Sequence, residues 1–198
     1  MKRKLKIEIG LAVLLLLIAL FGSFLAPYDP LKVNYDFSLQ PPSFLHIFGT
    51  DKLGRDVFSR ILCGAKTSFG LTFLMLFLIV FIGMIVGLIA GLSNDKVESF
   101  FNNIINGLLA FPDTIFAIAI VGIVGAGLFN TVFALALIWW TKYARLTLAL
   151  VKQEKKKNYL VISKMSGVPP LQRIIRYLLP NILSQILVTA FLDIGNMM

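Results

Sequence analysis

The feature that most constrains this chain is a series of apolar runs, each about as long as a membrane crossing. They cover residues 7–26, 69–92, 101–124, 128–150 and 178–198. A helix needs about 20 apolar residues to cross the hydrocarbon core of a bilayer. The sequence therefore predicts an all-α fold, a polytopic transmembrane helix bundle with about five spans.

Composition supports a membrane protein and narrows its chemistry. Hydrophobic residues make up 58% of the 198 residues and charged residues 15%, against about 45–50% and about 25% in soluble domains. The single cysteine, Cys63, excludes an internal disulfide and a cysteine-based metal site. The net charge of +9 does not indicate a nucleic-acid partner, because the charges lie between the apolar runs, where they set membrane topology.

The distribution of lysine and arginine predicts the orientation. Fourteen of them lie in the N-terminal tail, at Lys96 and in residues 142–176, and five lie in residues 27–68. Cytoplasmic loops carry the excess of these residues, so we expect a cytoplasmic N-terminus and an external 27–68 segment. The first run exceeds the apolar core of a cleaved signal peptide, about 7–15 residues, and we interpret it as an uncleaved span.

A motif at residues 49–60, Gly-Thr-Asp-Lys-Leu-Gly-Arg-Asp-Val-Phe-Ser-Arg, precedes the second run. Thr50 or Asp51 can cap the helix that follows, and Gly54 permits a tight backbone. Asp51, Arg55 and Asp56 can form an ion-pair cluster at the membrane surface. Composition alone favours an ordinary capped helix entrance. The candidate site residues of this motif are Gly49, Thr50, Asp51, Gly54, Arg55, Asp56, Ser59 and Arg60.

A second candidate site is the charged segment at about 152–180, which lies between two apolar runs. We expect a helix over 152–166, a left-handed turn at Gly167, a second short helix over 171–179 that prolines start, and a change of direction at Pro180. From the residues alone, a partner-docking hairpin and a solvated basic loop are equally plausible. Its candidate residues are Tyr159, Ile162, Ser163, Gly167, Pro169, Leu171, Arg173, Leu179 and Pro180.

Several residues within or near the apolar runs allow simpler interpretations. A carboxylate such as Asp113 within a span often lines a pathway. We prefer the simpler interpretation, in which Pro112 breaks the third run at the interface and Asp113 caps the next segment. We expect His46 to be an ordinary surface residue. Asp193 would face lipid or an unfilled groove if no sixth helix packs there. The glycines at 83, 87 and 91 form a small-residue stripe for close helix packing.

In its 49–60 motif and its 152–180 segment, the chain resembles the permease subunits of binding-protein-dependent ABC importers, in the dipeptide, oligopeptide and nickel group. Residues 49–60 match the group's GTDxLGRDxxSR signature at every fixed position. The 152–180 segment is similar to the group's EAA loop: Gly167 and Leu179-Pro180 have the required spacing, whereas residues 161–163 and Tyr177 depart from the pattern. Residues 111–112 and 143–145 also look like the group's sequence.

The resemblance implies a subunit that performs no chemistry itself. It implies a second permease subunit that pairs with this one as a heterodimer, two cytoplasmic ATPase subunits that dock on the EAA-like loop, and an external solute-binding protein. ATP would be bound by the partners, since this sequence contains no GxxxxGK[ST] phosphate-binding loop. We predict no catalytic, cofactor-binding or metal-binding residues, because the runs hold no paired carboxylates, histidine cluster or nucleophile with a base.

The expected organisation is an N-terminal span with its external loop, residues 1–68, followed by a transmembrane domain, residues 69–198. The group typically has six spans and this chain supplies five at most, so we expect a C-terminally truncated member. A non-transporting membrane protein, or a pseudogene product with a scaffold role, is the alternative. Dipeptide, oligopeptide and nickel members share these motifs, and the solute stays open.

Overall fold

The computed structural model describes residues 2–197, apart from the side chains of residues 2, 3, 5, 9, 12–16, 19 and 164. These residues form helices and loops, with no strand within the described range. The helices are α1 (Lys2–Leu25), α2 (Val57–Leu92), α3 (Asp95–Leu109), α4 (Asp113–Val124), α5 (Leu128–Lys155), α6 (Asn158–Met165), α7 (Pro170–Arg173), a π-helical segment (Ile174–Leu178) and α8 (Leu179–Met197). The all-α prediction is confirmed.

Among the described residues, three helices are long and apolar enough to cross a membrane. They are α2, α5 and the continuous helix over Pro170–Met197, and the bent pair of α3 and α4 supplies a fourth candidate. The span predicted at 7–26 coincides with α1, but many side chains of that helix lie outside the described part, so its crossing stays a prediction. Helix α2 begins twelve residues before the predicted span, and its 36 residues extend about 54 Å.

The chain divides into two compact units, Met1–Leu71 and Thr72–Met198. In the first unit, residues 26–56 form a loop region between α1 and the start of α2, with one short 3-10 helix at Tyr35–Phe37. The second unit contains the rest of α2 and helices α3 to α8. Each candidate site described below lies within a single unit.

The third predicted span is broken at the place that the sequence indicates. Helices α3 and α4 meet at 84°, and Pro112 is the extended residue that precedes α4. Proline lacks the N–H that a continuous helix would need, so the break follows from its position. The expectation that Asp113 caps α4 is wrong. Asp113 is the first helical residue, and Pro112 occupies the cap position without a side-chain hydrogen bond.

The core of the second unit forms where α2 and α5 approach closely along the glycine stripe. A Cβ atom added at Gly83 would lie 2.6 Å from the Trp140 carbonyl oxygen, and one at Gly87 would lie 2.6 Å from the Ala144 carbonyl oxygen. Any larger side chain would push the two backbones apart. The close-packing interpretation of the stripe is confirmed, and its contact is with α5 of the same chain.

Pro180 does not change the chain direction, contrary to prediction. The helix continues from Pro170 to Met197, because residues Ile174–Leu178 form a π-helical segment in which the Leu179 N–H donates to the Ile174 carbonyl. This wider turn changes the pairing register just before the proline. The missing N–H of Pro180 is thereby accommodated within the helix.

Candidate functional site

The 152–180 segment folds as a helical hairpin with its turn at Gly167. The helix predicted over 152–166 is divided, since α5 ends at Lys155 and α6 begins at Asn158. Glu154 lies at this break and is buried, 4% exposed. Its carboxylate accepts a hydrogen bond from Lys157 Nζ at 2.6 Å and another from the Tyr159 hydroxyl.

Tyr159 connects three parts of this hairpin. Besides donating to Glu154, its hydroxyl accepts from the Asn181 amide, which also donates to the Tyr177 carbonyl at 2.6 Å. Partial burial and the Glu154 carboxylate raise the pKa of Tyr159 to about 12. The phenol therefore stays a neutral donor at physiological pH, and it links α6 to the end of α5 and the start of α8.

The turn of the hairpin forms as the sequence predicts. Gly167 has a φ of +74°, and the Val168 N–H donates to the Ser163 carbonyl at 3.1 Å, which closes the end of α6. No atom lies within 4 Å of the position that a Gly167 Cβ would take, so the backbone angle alone demands glycine. Pro169 is extended and Pro170 begins α7, as expected.

The other candidate residues of this segment divide between the surface and the interior. Ser163 is buried and donates to the Leu160 carbonyl, and Arg173 is partly buried. Leu179 is half-buried and Pro180 exposed. Ile162 and Leu171 are 60% and 68% exposed. We call the exposed apolar side chains of the hairpin the hairpin surface; they are Val161, Ile162, Met165, Leu171 and Ile175.

The 49–60 motif forms a compact turn against residues 34–40. Gly49 and Gly54 both have a φ of +70°, and a Cβ at Gly54 would collide with the Asn34 carbonyl oxygen. The Asn34 N–H donates to the Leu53 carbonyl at 3.0 Å. The Thr50 hydroxyl donates to the Phe37 carbonyl and accepts from the Gln40 N–H. The two glycines are therefore required by both backbone angle and space.

Asp51 organises the motif through charge-assisted hydrogen bonds. It accepts from the Arg55 Nε at 2.8 Å, from the backbone N–H groups of Leu53 and Arg55, and from the Arg60 guanidinium. The side-chain bond from Arg55 is the main reason that the pKa of Asp51 is far below its usual value. The predicted ion-pair cluster exists, but it is made by Asp51, Arg55 and Arg60, without Asp56.

Asp56 has a different role from the one expected. It caps α2, since its carboxylate accepts from both the backbone N–H and the hydroxyl of Ser59 at 2.7 Å, so the predicted cap at Thr50 or Asp51 is wrong. It also bonds to His46 Nδ1 at 2.9 Å. Burial opposes ionisation of Asp56, but these bonds from Ser59 and His46 outweigh it and lower the pKa of Asp56.

His46 is an internal part of this motif, so its interpretation as a surface residue is wrong. Its side chain is 12% exposed, and its ring packs 4.9 Å from that of Tyr28 and 5.9 Å from that of Phe37. Sequence reasoning missed it because its partner Asp56 is ten residues away in a region without a helical period. The aromatic residues of the loop are the sequence feature that could have indicated a buried His46, since they offer ring surfaces on which a histidine can pack.

A third cluster, the mid-bundle cluster, joins α5 to α8 and was not predicted. Lys142 Nζ lies 2.8 and 2.7 Å from the two oxygens of the Asp193 carboxylate, and the Tyr143 hydroxyl donates to the same carboxylate at 2.8 Å. Asp193 is 5% exposed. The expectation that it faces lipid is wrong, because it has a cation and a phenol as partners. It does border an unfilled space, since it lines a cavity of the second unit.

Lys142 is the signal in the sequence for this cluster, since it lies inside an apolar helix rather than in the charged segment that follows. Together with Arg145 it counted among the fourteen basic residues of the predicted cytoplasmic side, whereas both lie inside α5, one of the candidate spans. Without these two, the split is twelve to five, so the predicted orientation is unchanged. A lysine and an aspartate in two separate apolar runs indicate an ion pair, since an unpaired charge in a membrane is costly.

Comparison with known proteins identifies the family. The family model described as the binding-protein-dependent transport system inner membrane component matches residues 83–198, which is more than half of the chain. The chain belongs to this family. A second family model, the N-terminal transmembrane domain of oligopeptide transport permease C, matches residues 9–42. Membership and the apolar helices establish a multi-pass membrane protein.

Three curated relatives place the chain among the permeases of this family. The di/tripeptide transport system permease protein of Pseudomonas aeruginosa (strain UCBPP-PA14) is 38% identical over 94% of this chain and 64% of its own length. The nickel transport system permease protein of Escherichia coli (strain K12) is 33% identical over 93% and 67%. The dipeptide transport system permease protein of the same organism is 36% identical over 93% and 63%. The chain thus spans about two thirds of the length of these relatives.

Proposed function

We propose that this chain is a transmembrane permease subunit of an ATP-driven importer of di- or oligopeptides or of nickel. The relatives named for dipeptide and nickel transport support this class of function. The observation that carries the proposal is the hairpin surface, because it exposes large apolar side chains on α6, between two candidate membrane helices, and on the first turns of the helix that continues into α8. Such surfaces are typical of protein interaction sites.

The proposed assembly contains several further subunits. A second permease subunit, in a heterodimer, encloses the translocation path with this chain within the lipid bilayer, and two cytoplasmic ATPase subunits bind and hydrolyse ATP. A solute-binding protein delivers the solute from outside. The N-terminus and the hairpin then face the cytoplasm, and this chain itself needs no cofactor and catalyses no reaction.

The hairpin is built to transmit movement of an ATPase to the membrane helices. It has two connections to them: Tyr159 and Glu154 link α6 to α5, and the π-helical segment makes α7 continuous with α8. A load on the hairpin surface would therefore reach α5 and α8 together. Gly167 sets the angle between the two halves, so its backbone conformation is the sensitive point of the coupling.

Co-purification tests the docking step. Ile162→Asp places a charge on the hairpin surface and should reduce recovery of the ATPase subunits with the tagged permease by at least about tenfold, because a buried unpaired charge is costly at an interface. Lys156→Ser, at the exposed break between α5 and α6, is the control and should retain recovery. Undiminished recovery with Ile162→Asp would refute docking at this surface and favour a scaffold role.

Transport measurements test the coupling step. Gly167→Val forces a β-branched residue into a left-handed conformation at a cost of at least about 1–2 kcal/mol. In the complete complex we expect ATP hydrolysis to continue while uptake falls. Gly107→Val in α3 is the control, since that glycine also has no neighbour within 4 Å but lacks the positive φ. Normal uptake by Gly167→Val would count against the coupling role.

A further inference from the structure

A cavity adjoins the mid-bundle cluster of the second unit. Its volume of 360 Å³ lies in the lower part of the range of small-molecule sites, about 300–1,000 Å³. Its lining combines apolar side chains with groups of both charges. The residues that matter here are Asp113, Trp139, Lys142, Arg145, Asp193 and Asn196.

The position of this cavity in the fold indicates that it lies at membrane depth. Lys142 is at the midpoint of the 28 residues of α5, so it is about 20 Å along the helix from either end. Leu109 and Asp113, which flank the break between α3 and α4, also line the cavity. Broken helices at membrane depth occur where the irregular backbone lines a cavity.

Two features of the lining show capacity for a bound molecule. The Trp139 indole N–H is buried and has no hydrogen-bond partner among the described residues, and such a donor typically finds one. The Lys142 side chain is 53% exposed although it pairs with Asp193. The Lys142 ammonium is therefore accessible, and it can leave the Asp193 carboxylate to pair with the carboxylate of a bound molecule.

The charges of the lining select the chemical class of the occupant. Two cations and two carboxylates line the cavity together, a balance that suits a molecule with one positive and one negative end. A divalent cation is disfavoured, because Lys142 and Arg145 repel it and the described residues include no group of three or more His, Cys, Asp or Glu side chains that could hold a metal.

We propose that this cavity binds the two charged ends of a zwitterionic solute, such as a short peptide with free termini. The ammonium end pairs with Asp193, and the carboxylate end pairs with Lys142 and Arg145. In the empty cavity Lys142 and Asp193 neutralise each other. When the solute binds, its ammonium end takes the place of Lys142 beside Asp193, and its carboxylate end takes the place of Asp193 beside Lys142. This inference rests on the proposed function and assigns a solute site within it.

Binding to the purified chain in lipid nanodiscs tests the proposal without an ATPase or a transport assay. In a Trp140→Phe background Trp139 is the only tryptophan, and it reports directly from the cavity. Titration with alanyl-alanine should give a saturable fluorescence change. N-acetyl-alanyl-alanine and alanyl-alanine amide, each lacking one charged end, should bind at least about tenfold more weakly, since each loses a charge-assisted contact.

Variants then assign each end of the solute to its partner. Asp193→Asn should abolish the preference for a free amino end and Lys142→Gln the preference for a free carboxylate. Lys152→Gln is the matched control. Lys152 lies on α5, as Lys142 does, is 52% exposed and forms an ion pair with Glu98 of α3, but it is absent from the cavity lining. This variant should bind the dipeptide as the parent chain does.

Three results would overturn the proposal. They are a missing saturable change, equal binding of the free and end-blocked peptides, and saturable binding of nickel chloride that displaces the dipeptide. The peptide analogues act on the unmodified cavity, so this conclusion does not depend on how the variants fold. If the dipeptide does not bind but the complete complex still docks its ATPase subunits and takes up solute, the solute site alone is refuted. If the ATPase subunits do not dock, the proposed function is refuted.

Discussion

Replacing Gly87 with alanine tests how closely α2 and α5 are packed. The added Cβ would lie 2.6 Å from the Ala144 carbonyl oxygen, 2.6 Å from Thr147 Cβ and 3.0 Å from the Leu148 backbone nitrogen. Ordinary contacts between carbon atoms are about 3.5–4.0 Å. Two of the obstacles are backbone atoms that cannot rotate away, so the two helices must separate locally by about 1 Å.

Two opposing contributions determine the stability change. Alanine favours the helix over glycine by about 1 kcal/mol, while overpacking of a close-packed core costs about 1–3 kcal/mol. Because the clash at Gly87 involves helix backbone and loosens the buried neighbours Thr147 and Leu148, we expect a cost near the upper end. The net loss is then about 1–2 kcal/mol, or about 2–8 °C in Tm for a chain of this size.

Gly70→Ala is the matched control for this experiment. It lies in the same helix, and no atom approaches within 4 Å of its potential Cβ, so only the helix-propensity gain remains. Thermal unfolding of both variants in detergent, followed by circular dichroism, should move their Tm values in opposite directions relative to the parent. The argument fails if Gly87→Ala melts at or above the temperature of Gly70→Ala.

Three further predictions concern the N-terminal unit and the topology. Single cysteines at Asn34 and at Lys156, in a Cys63→Ser background, should be labelled by an impermeant thiol reagent on intact cells at 34 and not at 156; the reverse pattern would overturn the orientation. Asp51→Asn should lower the Tm at pH 7, and the Tm difference from the parent should shrink as the pH falls below about 4. The reason is that a carboxylate with a lowered pKa stabilises the fold only while it is ionised. A Tm difference that is independent of pH would contradict this. Gly54→Ala should speed proteolytic cleavage within residues 27–56, because its Cβ meets the Asn34 carbonyl, and unchanged cleavage would show that the turn can relax.

The features that sequence reasoning predicted correctly depend on neighbours along the chain or on a helical period. The apolar runs gave the helices, and the four-residue spacing of the glycines at 83, 87 and 91 indicated a close helix contact. The turn at Gly167 and the helix start at Pro170 follow from backbone preferences of single residues. None of these predictions needs knowledge of which helix lies beside which.

The features that it missed depend on partners that are distant in sequence. Asp193 is held by residues 50 and 51 positions away, and a single sequence does not show which cation faces which carboxylate. His46 and Asp56 meet through a loop fold without periodicity. Pro180 was misjudged for another reason, since a π-helical segment can accommodate a proline and leaves no simple pattern in the sequence.

The contacts of α5 differ in kind along its length, and this difference bears on how a permease of this family could move. Its contact with α2 is an interlocking one, in which Gly83 and Gly87 leave no space for a Cβ. Its contacts with α3 and α8 include ion pairs, Lys152 with Glu98 and Lys142 with Asp193, beside the apolar core that α5 shares with α8. Polar pairs can exchange partners with water or a solute, whereas interlocked backbones can only separate. We therefore expect a load from the hairpin to move α2 and α5 as one body and to open the polar contacts with α3 and α8, beside the cavity that contains Lys142 and Asp193.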